Sequence, residues 1–196
     1  MTAAVPRLRI VAVLGSGDPG HGNASLAFEV GRLVADAGHH LLTGGGQGVM
    51  ADACRGFAGV EGRKGLSIGI LPRQIGGPAP KQGYPNPWVE IPIVTHLAGE
   101  EGPASPSSRN PINVFSAWRI VALPGGAGTI AELRLAARAG ATTLVLQPAE
   151  ARPEEAAFRR AVSELGLEAL LIPPLASLEW APAWQRLRAF LGCPQR

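Results

Sequence analysis

Short apolar runs of strand length alternate along this chain with longer stretches in which apolar residues recur at helical spacing. Leu8 to Leu14 reads as a buried strand. Leu26, Ala27, Val30, Leu33, Val34 and Ala37 then follow the i, i+3/i+4 pattern of a helix capped near Asn23 and closed by Gly38. The alternation continues through strand His40 to Thr43, helix Gly48 to Ala58 and strand Leu66 to Leu71. A loop-rich insert leads to an extended run Val89 to Thr95, a helix from about Asn110 and strand Arg119 to Leu123. Helix Ile130 to Ala139, strand Thr142 to Gln147, helix Glu154 to Leu165 and strand Ala169 to Ile172 follow, and Trp180, Trp184, Leu187 and Leu191 share one face of a terminal helix. A strand with a solvent face alternates apolar and polar residues, whereas these runs are nearly continuous, so they predict a parallel sheet covered on both sides. The expectation is an α/β fold, a Rossmann-like doubly wound parallel sheet with helices on both faces, forming a single domain over residues 1–196. Ligands in such folds bind beyond the carboxyl ends of the strands, near the switch in strand order.

Composition narrows the function classes. Hydrophobic residues make up 46% of the 196 and charged residues 17%, which supports a packed core despite 26 glycines and 18 prolines. Half of those prolines lie between Pro72 and Pro111, in the insert, which is expected to overhang the ligand cleft. Cys54 and Cys193 are too few for a disulfide framework or a four-ligand zinc site, so no metal and a reducing, cytoplasmic setting are expected. No apolar run approaches the roughly 18 residues of a spanning helix, which argues against a membrane. The net charge of +3 comes from scattered basic residues rather than a stripe, which argues against nucleic acid. Lys64 and Lys81 are the only lysines, leaving few candidates for Schiff-base chemistry.

Three strand-to-helix loops are rich in glycine: Gly15-Ser16-Gly17, Gly44-Gly45-Gly46-Gln47-Gly48, and Pro124-Gly125-Gly126-Ala127-Gly128-Thr129. Glycine lets backbone N–H groups approach a ligand, and the following helix N-terminus adds partial positive charge, so together the loops describe a phosphate cradle. A tight turn needs glycine as well, and any one loop alone reads more readily as a turn; three at one sheet edge favour the cradle. Gly15 to Gly20 satisfies G-x-G-x-x-G formally, but Pro19 and the tail to Asn23 separate it from its helix, and no acidic residue ends the second strand, so a nicotinamide dinucleotide is not expected.

Two side chains beside these loops are candidates for chemistry. Glu132 reads as a catalytic carboxylate on the first turn of a helix, or as the reciprocal member of a capping box with Thr129. Arg109 precedes a helix opened by Pro111 and capped by Asn110 or Ser108; it reads as an anion contact or as a solvated surface cation. Asp18 reads as a ribose contact or a turn residue, and His39-His40 reads as structural.

The glycine motifs carry a resemblance. Gly44 to Met50 resembles the GGGxxGxM segment, and Pro124 to Glu132 resembles the PGGxGTxxE segment, of the LOG (Lonely Guy) family, long labelled lysine decarboxylases. The resemblance covers roughly Arg9 to Gln147. It implies a nucleoside 5′-monophosphate phosphoribohydrolase, which cleaves an N-glycosidic bond to free base and ribose 5-phosphate, with no cofactor and not with pyridoxal phosphate. The catalytic pair would be Arg109 and Glu132. An AMP-like nucleotide would be held through its phosphate by Gly15, Ser16, Gly44, Gly45, Gly46, Gly48, Met50, Gly125, Gly126, Gly128 and Thr129, in a homodimer. Ala131, Asn110 and Ala51 depart from the family's usual Glu, Lys and Gly. Arg109-Asn110, Gly69-Ile70-Leu71-Pro72 and Asn86-Pro87 are more similar to a sister branch that contains molybdenum-cofactor carrier proteins. That branch implies a non-catalytic carrier with the molybdenum cofactor as cargo.

Overall fold

The computed structural model describes residues 8–74, 79–97, 102, 105, 108–173 and 180–193, with Trp180 and Ala181 described by their backbone alone. In chain order its elements are β1 (Ile10–Leu14), α1 (Ala24–Asp36), β2 (His40–Thr43), α2 (Val49–Ala58), β3 (Ser67–Leu71), β4 (Ile91–Val94) and α3 (Asn110–Phe115). Then come β5 (Arg119–Ala122), α4 (Ala127–Arg138), β6 (Thr143–Pro148), a 3-10 turn (Pro153–Glu155), α5 (Ala156–Glu164), β7 (Ala169–Ile172) and α6 (Trp180–Leu191).

All seven strands join one sheet in the order β4-β3-β2-β1-β5-β6-β7, and every pairing is parallel. The chain winds outward from β1 to β4, returns to the other side of β1 as β5, and winds outward again to β7. The loops that follow β1 and β5 therefore leave adjacent strands in opposite directions and open a crevice between them.

Side chains on each central strand alternate between two cores. Val11, Val13, Leu41, Val121, Leu123, Leu144 and Leu146 pack in the core that contains α1, α2 and α6. Ala12, Leu14, Leu42, Ile120, Ala122 and Val145 pack in the core that contains α3, α4 and α5. This makes the strands apolar throughout, the feature by which they were predicted. β4 is different: its residues are all exposed and Ile93 is 45% exposed, because it is the sheet edge, where Pro92 is tolerated.

Helices α1 and α2 cross at two glycines. A Cβ on Gly31 would fall 1.9 Å from the Ala53 carbonyl oxygen, and one on Gly56 would fall 1.9 Å from that of Phe28. The close approach draws both helices onto β1 and β2, which fixes where the loops at their N-termini point.

Several sequence expectations change at element ends. Asn23 stands at the N-cap of α1 but makes no side-chain cap bond; its amide nitrogen donates to the His21 carbonyl instead. Arg109, rather than Asn110 or Ser108, occupies the N-cap position of α3. α4 begins at Ala127, three residues before the predicted start, so Thr129 is a helical residue and the capping box is absent. Trp184 packs against the core as predicted, while the Trp180 side chain lies outside the described residues.

Candidate functional site

The crevice between β1 and β5 holds a cleft of about 300 Å³. Backbone hydrogen bonds tie its loops together: the Ser16 N–H donates to the Pro124 carbonyl (3.2 Å), and the Val49 N–H donates to the Ser16 carbonyl (2.9 Å). The loops after β1 and β5 and the start of α2 are thereby one continuous wall.

The glycines divide by task. Gly15, Gly44, Gly126 and Gly128 line the cleft, as do Ser16, Met50 and Thr129. Gly45, Gly46 and Gly48 do not line it, and Gly125 lines an adjoining cavity with Ser16, Asp18 and Gly126. Gly48 has φ of +65°, and a Cβ there would fall 2.4 Å from the Ser16 carbonyl, so only glycine lets α2 start against the first loop. A Cβ on Gly125 would fall 2.2 Å from Thr129 Oγ1. At Gly126, by contrast, a Cβ would meet nothing within 4 Å.

Helix α4 begins on the cleft wall at Gly126, with no side-chain cap and no acidic residue in its first turn. The Ile130 N–H is bonded to the Gly126 carbonyl (3.0 Å), while the amides of Ala127, Gly128 and Thr129 precede any intrahelical acceptor. Free amides and the positive end of the helix thus coincide at one point of the cleft.

Arg109 and Glu132, far apart in sequence, both line this cleft. The guanidinium lies against Gly44, where a Cβ would fall 2.6 Å from Nη2, and 5.5 Å from the centre of the Tyr84 ring. Its Nε is buried without a hydrogen-bond partner among the described residues. Glu132 is only 8% exposed and accepts a 2.7 Å hydrogen bond from Asn113 Nδ2 on α3. Burial pushes its carboxyl up to about 7, against the opposing pull of the Asn113 hydrogen bond and the Arg109 charge. Among the readings open from sequence, Glu132 is therefore a cleft carboxyl, on the second turn of α4 rather than the first.

Asn113 and Tyr84 also line the cleft, and sequence reasoning passed over both. Asn113 lies one helical turn after Arg109 on α3, a spacing that places the two on one face once the helix is known. Tyr84 belongs to the proline-rich insert, which is pinned to the second glycine loop: the Asn86 N–H donates to the Gly45 carbonyl (2.8 Å) and Asn86 Nδ2 to that of Gly46 (2.9 Å). Asp18 takes the turn role, its Oδ1 accepting from the Gly20 N–H at 2.9 Å.

A larger cavity, about 450 Å³, lies between the start of α1 and the ends of β6 and β7. Leu26, Pro148, Ile172 and Pro173 give it a mainly apolar lining beside Glu150 and Arg152, and it includes none of the predicted site residues. Its size does not make it the chemical site: the uncapped amides, Arg109 and Glu132 all face the smaller cleft.

Several solved structures share this fold. The chain is 30% identical to the molybdenum cofactor binding protein of the phototrophic bacterium Rippkaea orientalis, with 92% of this chain and 96% of that one covered and a TM-score of 0.64. It is 31% identical to the molybdenum cofactor carrier protein of Chlamydomonas reinhardtii, with 93% and 99% covered and a TM-score of 0.63. An uncharacterized protein of Archaeoglobus fulgidus is 31% identical over 142 residues, 72% of this chain and 82% of its own. DNA processing protein A of Helicobacter pylori, at 15% identity and a TM-score of 0.60, shares the fold alone. Residues 8–168 match the SLOG cluster4 family, and the chain belongs to that family.

Proposed function

We propose that this protein binds a phosphate-bearing ligand in the β1–β5 cleft, as a carrier or binding protein of the molybdenum-cofactor type. The observation that carries this reading is the coincidence, in one cleft, of the uncapped N-terminus of α4 with Arg109. Backbone amides and a helix end suit a phosphate, and Arg109 supplies a formal charge on the neighbouring wall. The relatives described as binding or carrying the molybdenum cofactor align over nearly the whole chain, which supports that cargo over other phosphate esters.

A second reading is hydrolysis of a nucleoside 5′-monophosphate. It is favoured by the convergence of Arg109 with a carboxyl held near 7, the range in which one group both donates and accepts a proton. Water would add to the sugar carbon as the N-glycosidic bond breaks, and the base would leave with a proton.

Two experiments separate these readings. Anaerobic titration with molybdopterin, followed by desalting and absorbance of the retained pterin, tests the carrier; loss of all pterin on desalting removes it. Incubation with adenosine 5′-monophosphate and chromatography for adenine tests the hydrolase. Nucleotide recovered intact defeats hydrolysis for that substrate. Free adenine that disappears in Glu132→Gln at unchanged thermal stability supports it.

A further inference from the structure

Two buried polar atoms on the cleft wall lack partners in the protein. Arg109 Nε is a donor and Asn113 Oδ1 an acceptor, and each is buried without a hydrogen bond among the described residues. Their residues stand at i and i+4, at the N-cap and within α3, and both line the cleft. Asn113 is 1% exposed, and its other amide atom, Nδ2, is committed to Glu132 Oε1 at 2.7 Å. The carboxylate thus fixes which end of the amide is spoken for and leaves the oxygen over. Buried polar groups in folded proteins are nearly always satisfied, so a donor and an acceptor left open on two cleft-lining residues one helical turn apart call for a partner that supplies one acceptor and one donor.

We infer that Asn113 is a specificity-determining residue that, together with Arg109 Nε, receives a sugar-type hydroxyl of the bound phosphate ester. A hydroxyl accepts from Arg109 Nε–H and donates to Asn113 Oδ1 at the same time. A methylene in its place leaves both atoms unpaired.

Position supports a hydroxyl near the phosphate rather than a distant part of the ligand. Asn113 meets α4 at Glu132, four residues beyond Gly128 in the amide cradle, and four helical residues rise about 6 Å. That is the span from a phosphoester to the ring hydroxyls of the same pentose. This inference rests on phosphate-ester binding in the cleft and takes the nucleotide-type ester of the second reading, since molybdopterin carries a phosphate but no pentose hydroxyl.

The test is a binding cycle by isothermal calorimetry. Wild type and Asn113→Leu are titrated with adenosine 5′-monophosphate and its 2′-deoxy and 3′-deoxy analogues, with inorganic phosphate as competitor. Wild type is expected to bind the parent nucleotide at least about tenfold more tightly than one deoxy analogue. Asn113→Leu should bind that pair alike while inorganic phosphate competes as before. Equal wild-type affinity for all three nucleotides overturns the inference and leaves phosphate binding standing, as does discrimination that persists in Asn113→Leu. If wild type binds neither nucleotide nor inorganic phosphate, the inference falls together with the reading beneath it. The analogue series on wild type decides the matter even if the Leu variant does not fold.

Discussion

Glu132 is neutral or charged according to a balance that its neighbours set. Its ordinary value is 4.5, and burial raises it to about 7 in the fold. An acid with a raised folded value binds an extra proton in the native state between those two limits, so stability falls as pH rises through that window. Replacing Glu132 by Gln should abolish the fall. Urea unfolding of both proteins at pH 5 and pH 8 should show wild type losing on the order of 3 kcal/mol more than the variant across the interval. A second residue-level contrast separates ligand-facing glycine from packing glycine. Gly126 has an extended, negative-φ backbone and open space beside it. Gly126→Ala should leave stability within about 0.5 kcal/mol while weakening ligand binding. Gly125→Ala, whose Cβ would fall 2.8 Å from the Ser16 amide nitrogen, should lower both.

At the scale of elements, the crossing of α1 and α2 depends on glycines that a helix alone would disfavour. Outside this contact, Gly→Ala inside a helix stabilises through the unfolded chain. Here Gly56→Ala drives a methyl into the Phe28 carbonyl, and denaturant melts should show a loss of ~1–3 kcal/mol. Nearly all predicted elements lie within a few residues of their observed positions, because a buried parallel strand and an amphipathic helix differ in period over their own length. The start of α4 was misplaced for a related reason. Gly126-Ala127-Gly128 has no apolar periodicity, and the helix begins there because Gly126 takes the extended backbone of an N-cap while the Ile130 amide finds its carbonyl. With the early start, Thr129 moves inside the helix, and the apparent capping box gives way to a carboxyl aimed at α3.

For the whole molecule, the strand order places the first and third glycine loops side by side, although more than a hundred residues separate them. The same winding buries Cys54 under β2, where its thiol lies 3.6 Å from Thr43 Oγ1 and desolvation raises it to about 11. In Cys193→Ser this thiol should report opening of the central core. Reaction with a disulfide reagent at pH 8 should be at least about a hundredfold slower for native protein than in urea, since only the thiolate attacks. Among the described residues no helix is long and apolar enough to cross a membrane.

Sequence by itself determined the succession of strands and helices, the parallel and doubly covered sheet, and the gathering of glycine loops at its carboxyl edge, because these follow from local period and backbone freedom. It also nominated Arg109 and Glu132. Tertiary structure alone decided which glycines face the cleft and which only permit close packing. It also brought in Asn113 and Tyr84, and it moved Glu132 to the edge of neutrality. Those outcomes depend on desolvation and on hydrogen bonds between segments distant in the chain, such as Asn113 to Glu132 and Asn86 to the second glycine loop. Burial is a property of the assembled layers, and no local pattern records it.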